Sequence, residues 1–522
     1  MKKINFTYLY AGILGLVTIL ATSCTGDLDT EPRVEQTKDN ILGDDPEAYK
    51  GMLAKIYSAF ILTGQETSGQ TDVVAPDAGA SSYIRNYWNF QELTTDEALN
   101  RWGDGGLDAL NRLDWTAGNN FIRIMYDRIY LEVALANNFL RETEGTENSE
   151  IQDYRNEARF LRALAYWHAI DLFGNVPFVT ENDPVGNFEP PRYPREELFG
   201  FVESELLEII PLMKAPRANE YARADRVAGW MLLAKLYLNA EVYTGEARYG
   251  EALTQLEHIV NEGGYTLEGN YEHLFLADND RSEEIILPLA ADGLQSQSFG
   301  GTSYIIHAGI SNSTMDPADY GVNGGWEGNR TTSAFADLFG NLDTNRDGRA
   351  LFHTEGHVRE NTDYMAFNNG YAIAKYKNLT STGEHGSDTS GEFVDTDYPL
   401  FRLADAYLMY AEAAIRTGSE TATALNLVNQ LRERAYGDTS GNISAAQLTL
   451  DFILDERGRE LYWEGHRRTD LIRFGKFTGS GYLWPWKGGS VNGSGVESFR
   501  TLLPIPLTDL GVNSNLVQNP GY

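Results

Sequence analysis

Cys24 is the sole cysteine of the chain, and its surroundings suit thioether lipidation rather than redox chemistry. Lys2 and Lys3, an apolar run over 9–20 and the small residues Ala21, Thr22 and Ser23 precede it. That order is a secretory signal (1–23) ending in a lipoprotein-type cleavage box, with an ordinary signal as the alternative. The apolar run is too short for a permanent span, so lipid on Cys24 would tie the mature chain to a membrane. With Cys24 so consumed, disulfides, thiolate metal sites and cysteine nucleophiles are all excluded.

Two further constellations invite chemistry. Glu456, Glu460 and Glu464 recur every four residues, which on one helix face makes a carboxylate ladder. Paired carboxylates hydrolyse glycosidic bonds. Arginines crowd the same stretch (ERGRELYWEGHRR), however, and a structural ion-pair network is the better reading, with Glu464 placed for Arg467 or Arg468. In DTNRDGR, Asp343, Asn345 and Asp347 alternate as in a calcium loop. Position twelve is Thr354 and Glu355 falls one place beyond it, so a turn fits better than a calcium site. There is no HExxH, P-loop, GxSxG elbow or dinucleotide fingerprint, and no cofactor is implied. His168 lies on an apolar stripe and reads as a core residue.

The elements that must position any site are helical. Ala158, Leu161, Ala165, His168 and Leu172 mark one face of a helix that Gly174 and Pro177 would end. Trp230, Leu233, Ala234 and Tyr237 form a second stripe, followed by YGEALTQLEHIVNEGG. Leu403, Tyr407, Tyr410, Ala411 and Ala414 form a third, followed by TATALNLVNQLRERA. Each of these last two runs is helix, short loop, helix, the logic of tetratricopeptide hairpins, with an irregular bundle as the alternative. Segments 63–119 and 290–400 break the pattern with Gly, Ser, Thr, Asn and Asp among aromatics, as in RWGDGG and YGVNGGWEGNRTT. Long irregular segments in a compact chain are usually functional loops or disorder, and the aromatics here argue against disorder. The expectation is a mostly α scaffold over 41–522, a single domain with a loop-rich binding face, joined to Cys24 by the acidic tether 24–40.

Composition narrows the partner. At a net charge of −33 the chain repels nucleic acid and anionic lipid, and it suits neutral ligands. Aromatics reach 12%, with 29 tyrosines and nine tryptophans, an excess that partly builds core and is also the raw material of stacking surfaces. Sugar rings offer C–H faces to aromatic planes, although aromatics are more often core than platform.

Several segments together resemble the SusD-like (RagB/SusD) glycan-binding lipoproteins of Bacteroidetes. They are the anchor at Cys24 with its acidic tether, NEARFLRALAYWHAIDLFGNVPFV, the helices at 226–240 and 402–416, ILDERGRELYWEGHRRTDLIRFGKF and the tail LLPIPLTDLGVNSNLVQNPGY. The resemblance implies one mostly α-helical, tetratricopeptide-like domain on the outer cell surface, held to the outer membrane by lipid. It also implies a lid over a TonB-dependent transporter that captures oligosaccharides without breaking a bond. RNYWNFQELTTDEALNRWGDGG and GGWEGNRT look closest to the family's starch-binding founder, which points to α-glucan. Carried across by motif, Trp102, Tyr304 and Trp326 become aromatic platforms, and Asp77 and Arg85 become hydroxyl-binding groups. Trp102 and Trp326 stand beside Gly-rich turns; Tyr304 lies in the apolar run SYIIHAG, where core packing is the alternative. Trp88, Asn89, Glu92, Asp96 and Glu97 either join the site or shape its loop. A different glycan, a lid protein without a sugar site, and a surface hydrolase are the competing functions.

Overall fold

The computed structural model describes residues 43, 45–65 and 68–522. Cys24, the signal segment and most of the tether lie outside them. Residues 1–49 and 50–522 form two compact units. Of the first, the description includes the start of helix α1 (Pro46–Ala59). The second holds everything that follows.

Capped amphipathic helices dominate. After α2 (Tyr83–Trp88) and α3 (Leu107–Arg112) come α4 (Asn120–Glu142) and α5 (Ser149–Leu172). The side chain of Asn119 accepts from Phe121 and Ile122 N–H groups, and Asn148 does the same for Glu150 and Ile151, satisfying donors that a helix start leaves free. The stripe read from 158 to 172 is buried, and α5 stops at Gly174, whose φ of +74° ends the helix. His168 sits in that stripe with Nδ1 2.6 Å from the Tyr83 hydroxyl, and burial drives its pKa down to about 3.

Next along the chain are α6 (Arg195–Ile209), α7 (Arg226–Leu238, capped by Asp225) and α8 (Tyr249–Glu262). Beyond the second irregular segment, which contains α9 (Gly301–Ala308), come α10 (Leu403–Thr417), α11 (Thr421–Tyr436), α12 (Leu450–Leu461) and α13 (Arg467–Arg473). α7 packs on α8, α10 on α11, and α8 on α10, so the two hairpins expected from the stripes are neighbours despite the 140 or so residues between them. Helices α4, α5 and α6 pack in series in the same way. The strands are short, and four of them matter to the site and core: β1 (Leu99–Asn100), β2 (Ile285–Leu289), β3 (Asn329–Arg330) and β4 (Tyr398–Arg402). β2 pairs antiparallel with β4, and β1 with β3.

The carboxylate ladder is an ion-pair network, but its geometry differs from the sequence reading. Glu456 and Glu460 lie on α12, which ends at Leu461, so Glu464 falls outside the helix. Trp463 and Gly465 both have positive φ, turning the chain away from the helical path. Glu464 therefore pairs with Lys375 and Arg402 rather than Arg467 or Arg468. Arg467 instead grips Asp96, at 2.8 Å through both Nε and Nη2, and Arg468 lies 3.7 Å from Asp171.

The segment of the calcium candidates forms a turn held by its own hydrogen bonds. Asp347 accepts from Arg349 through both carboxylate oxygens, and Asn345 Oδ1 accepts the Asp347 N–H at 3.0 Å. Asp343 N–H is bound to Asn341 Oδ1 at 2.9 Å. Among the described residues no group of three or more His, Cys, Asp or Glu side chains is placed to hold a metal. None of the described helices is long and apolar enough to cross a membrane.

Segment 83–100 also departs from its polar composition. Trp88, Asn89, Glu92, Asp96 and Glu97 are all buried, and so shape the site's base without reaching solvent. Burial, reinforced by Glu97, pushes the Glu92 carboxyl well above its ordinary value. Burial likewise pushes Glu97 up to about 7. A folded pKa raised above the unfolded value of 4.5 adds stability that is complete below 4.5 and lost as pH rises through about 7. Asp397, raised by burial to about 7, titrates in the same window. Thermal midpoints should therefore fall between pH 5 and 8, and Glu97→Gln, which mimics the protonated acid, should flatten that slope. An equal slope in wild type and variant would refute the assignment.

Candidate functional site

A two-residue ladder brings two distant loops together. β1 pairs with β3 so that Leu99 faces Arg330 and Asn100 faces Asn329. Asn100 locks the junction: Nδ2 donates to Asn329 Oδ1 at 2.6 Å, and Oδ1 accepts the Trp102 N–H at 2.7 Å. Trp102 lies two residues after β1 and Trp326 three before β3, so the ladder sets the two indoles side by side. Their ring centroids are 6.5 Å apart at 42°. The Trp102 Nε1–H donates to the Trp326 carbonyl at 3.1 Å, across 224 residues of sequence. Gly328 is required beneath them, since a Cβ there would stand 2.6 Å from two Trp102 ring atoms.

His307, on α9, braces Trp326 from behind. The two rings stack at 4.6 Å and 15°, and the His307 carbonyl accepts the Trp326 N–H at 2.7 Å. Its ring nitrogens face Gly324 O at 2.6 Å and Glu392 O at 3.1 Å. Burial holds its pKa below the ordinary value against the pull of those two carbonyls.

Arg85, Asp77 and Tyr304 join the same assembly. Arg85 is buried on α2, its guanidinium 4.4 Å from the Tyr304 ring centroid and 5.6 Å from that of Trp102. Asp77 is exposed, 3.9 Å from Arg85, and caps the turn before α2 through the Ala80 N–H at 2.8 Å. Tyr304 departs from the expected open platform. It is wholly buried, its hydroxyl donating to Asn89 at 2.8 Å, and the edge of Trp102 covers it at 5.9 Å. The apolar residues of α9 turn inward and carry Tyr304 with them, so it supports Trp102 from below.

A third half-buried ring in the assembly is Phe299, 6.4 Å from Trp326 at 51°. Gly79 lets the Asp77 turn close on it, since a Cβ there would meet the Phe299 carbonyl at 2.8 Å. Phe299 was not singled out from sequence, although it precedes Gly300 and Gly301 and so carries the same aromatic-beside-glycine signal as Trp102 and Trp326.

Three half-exposed rings, mutually tilted and flanked by an exposed carboxylate and a buried guanidinium, form a surface for a ligand with inclined apolar faces and hydroxyl edges. Glu327 is already engaged by Arg101 at 3.0 Å and by Ser311 and Asn312. Asp77, held by Arg85 and the Ala80 N–H, is an exposed carboxylate at the edge of the rings.

Comparison with known proteins bears on the family and the fold. A model described as the SusD family matches residues 349–522, and one described as starch-binding associating with outer membrane matches residues 35–248. The starch-binding protein SusD of Bacteroides thetaiotaomicron is 34% identical, over 98% of each chain. A SusD-like protein, P25, of Formosa agariphila is 28% identical over 76% of this chain and 78% of its own. Among solved structures, a SusD superfamily protein from Bacteroides thetaiotaomicron superposes with a TM-score of 0.70 at 22% identity, covering 91% of this chain and 99% of that one. Surface glycan-binding protein A from the same organism, in complex with laminarihexaose, superposes at 0.67 with 19% identity and the same coverage. These last two establish likeness of fold.

Proposed function

The chain belongs to the SusD family, whose members bind carbohydrate and associate with the outer membrane, and from that premise we propose that it captures starch-derived maltooligosaccharides. In this reading Cys24 carries the lipid anchor, the folded domain faces the cell exterior, and the bound glucan passes to a TonB-dependent transporter. No bond is broken; function is binding and release.

The observation that carries the reading is the lock between Trp102 and Trp326. An α-glucan is helical and turns successive ring faces through an angle, and two indoles fixed at 42° with Phe299 beyond them offer matching inclined planes. Apolar C–H faces lie on the rings, while Asp77 and Arg85 take hydroxyls through charge-assisted hydrogen bonds. The platform is braced before ligand arrives by the indole–carbonyl bond, the His307 stack and the Asn100 clamp, so little ordering is lost on binding. Identity of 34% to a starch-binding protein across the whole chain supports the choice of glucan.

Calorimetric titration of the chain from residue 25 onward tests it. Maltoheptaose and β-cyclodextrin should both bind saturably, since both present the curved α-1,4 surface. Silence with both, together with heat from another glycan such as laminarihexaose, would replace the ligand. Silence throughout would leave a lid protein without a sugar site.

A further inference from the structure

Six of the nine tryptophans are buried: Trp88, Trp115, Trp167, Trp230, Trp463 and Trp484. The other three, Trp102, Trp326 and Trp486, are half-exposed. Indole is a large apolar surface that folding tends to remove from water, so a ring held at the surface asks for a reason. Two of the three already have one, as neighbours in the aromatic site. Trp486 does not.

Its conformation is constrained rather than loose. Trp486 has φ +72°, the left-handed region that a bulky side chain rarely enters, and it precedes Gly488 and Gly489 in a tight turn. Its indole Nε1–H donates to the Asn361 carbonyl at 2.9 Å, and its backbone N–H donates to Ser490 O at 2.8 Å. The ring meets Tyr364 edge-on at 5.3 Å and 74°. Tyr364 is buried, with its hydroxyl on Asn111 Oδ1 at 2.9 Å. The turn thus holds a half-exposed indole by its Nε1–H and by its contact with Tyr364.

The support of Trp486 is continuous with that of the aromatic site. Arg330, in β3, donates from Nη2 to the Tyr364 carbonyl at 2.7 Å. Arg101, the residue before Trp102, holds Glu327 O at 2.6 Å through Nε and reaches Met365 O at 3.4 Å through Nη1. The same ladder that sets Trp102 beside Trp326 therefore anchors the segment on which Trp486 rests. Around Tyr364, on which the indole rests, Thr362 and Asp363 are exposed, and Arg112, 5.4 Å from the Tyr364 ring, pairs with Asp108 at 3.2 Å near the surface.

We propose that Trp486 is an outlying sugar platform, engaged by glycans long enough to extend past Trp102 from the site described above. This rests on the glycan-capture reading. A short oligosaccharide is satisfied by Trp102, Trp326 and Phe299 and never reaches Trp486. A polysaccharide held at the first site meets the second at high effective concentration, so even a weak second contact adds affinity. The pair of platforms thereby selects chain length.

The test compares wild type, Trp486→Ala, Trp486→Phe and Trp102→Ala against maltotriose and amylopectin, by calorimetry and affinity electrophoresis, with thermal midpoints as the folding control. Trp486→Ala should leave maltotriose binding unchanged and weaken amylopectin binding about 3- to 10-fold. Trp486→Phe, which keeps an aromatic face, should restore part of the loss. Trp102→Ala should weaken both ligands. Unchanged amylopectin binding in Trp486→Ala, or equal loss for both ligands, would overturn the platform while leaving the glycan-capture reading intact. Should wild type ignore α-glucan, the same variants are run against laminarin and xyloglucan. A wild type retarded by none of these overturns both readings.

Discussion

Replacing Trp102 by alanine should weaken maltoheptaose binding about 30-fold, the equivalent of roughly 2 kcal/mol for one well-placed aromatic contact. The expected loss is large because Trp102 does two things at once. Its face is a platform, and its Nε1–H holds the Trp326 carbonyl at 3.1 Å, so the substitution removes one ring and loosens the next. The same bond predicts non-additivity. Trp102→Ala and Trp326→Ala together should cost less than the sum of the single losses, since each already disturbs the other's ring. Trp102→Phe should keep part of the face and lose the hydrogen bond, and so fall between. Calorimetry across this set reads both effects, and denaturant midpoints show that the fold survives, because Trp102 is only half-buried and lies outside the helical core. Full affinity in Trp102→Ala would remove it from the site.

Much of this site was legible because its signal is local. Trp102 and Trp326 each stand next to glycines in a segment without helical periodicity, and the structure places them side by side. Phe299 and Trp486 carry the same signal, each followed within a few residues by a Gly-Gly pair. The helical hairpins were equally legible, since apolar spacing of three and four is a local property. What could not be read is whatever depends on partners far along the chain. Asp96 and Glu97 look like loop residues until Arg467 and the Trp463 N–H, more than 360 residues away, meet them in the interior. Tyr304 resembled a platform by alignment, yet the direction of its side chain is set by how α9 packs. Glu464 was assigned helical neighbours because spacing continues past Leu461, while the positive φ of Trp463 and Gly465 ends the helix there.

That buried network gives the second large effect, this time on stability. Glu460 accepts from Arg402 at 2.7 Å, from Arg349 at 3.0 Å and from Arg434, and all four groups are almost fully buried. Around them Asp347, Glu456, Glu464 and Glu284 face Arg432, Arg459 and Lys375 as well, so cations already outnumber anions by one. Glu460→Ala deepens that excess inside a region from which water is excluded. Removing one partner of such a cluster typically costs about 3–5 kcal/mol, more than the pairing itself is worth, because the remaining charges stay desolvated. The denaturant midpoint should drop accordingly, whereas breaking a surface pair such as Arg346–Asp438 should leave it nearly unchanged. The pH dependence separates this account from simple loss of packing. Burial pushes the Glu456 carboxyl up, but Arg349, Arg459 and Arg432 pull harder and bring it down to about 2; Arg434, Arg402 and Arg349 take Glu460 lower still. Folded pKa values below the unfolded 4.5 give stability that is complete above 4.5 and lost as pH falls toward 2. The gap between wild type and Glu460→Ala should therefore be widest near neutral pH and shrink below pH 4. A gap that is constant from pH 7 to pH 3 would assign the loss to the cavity left by the side chain, and not to its charge.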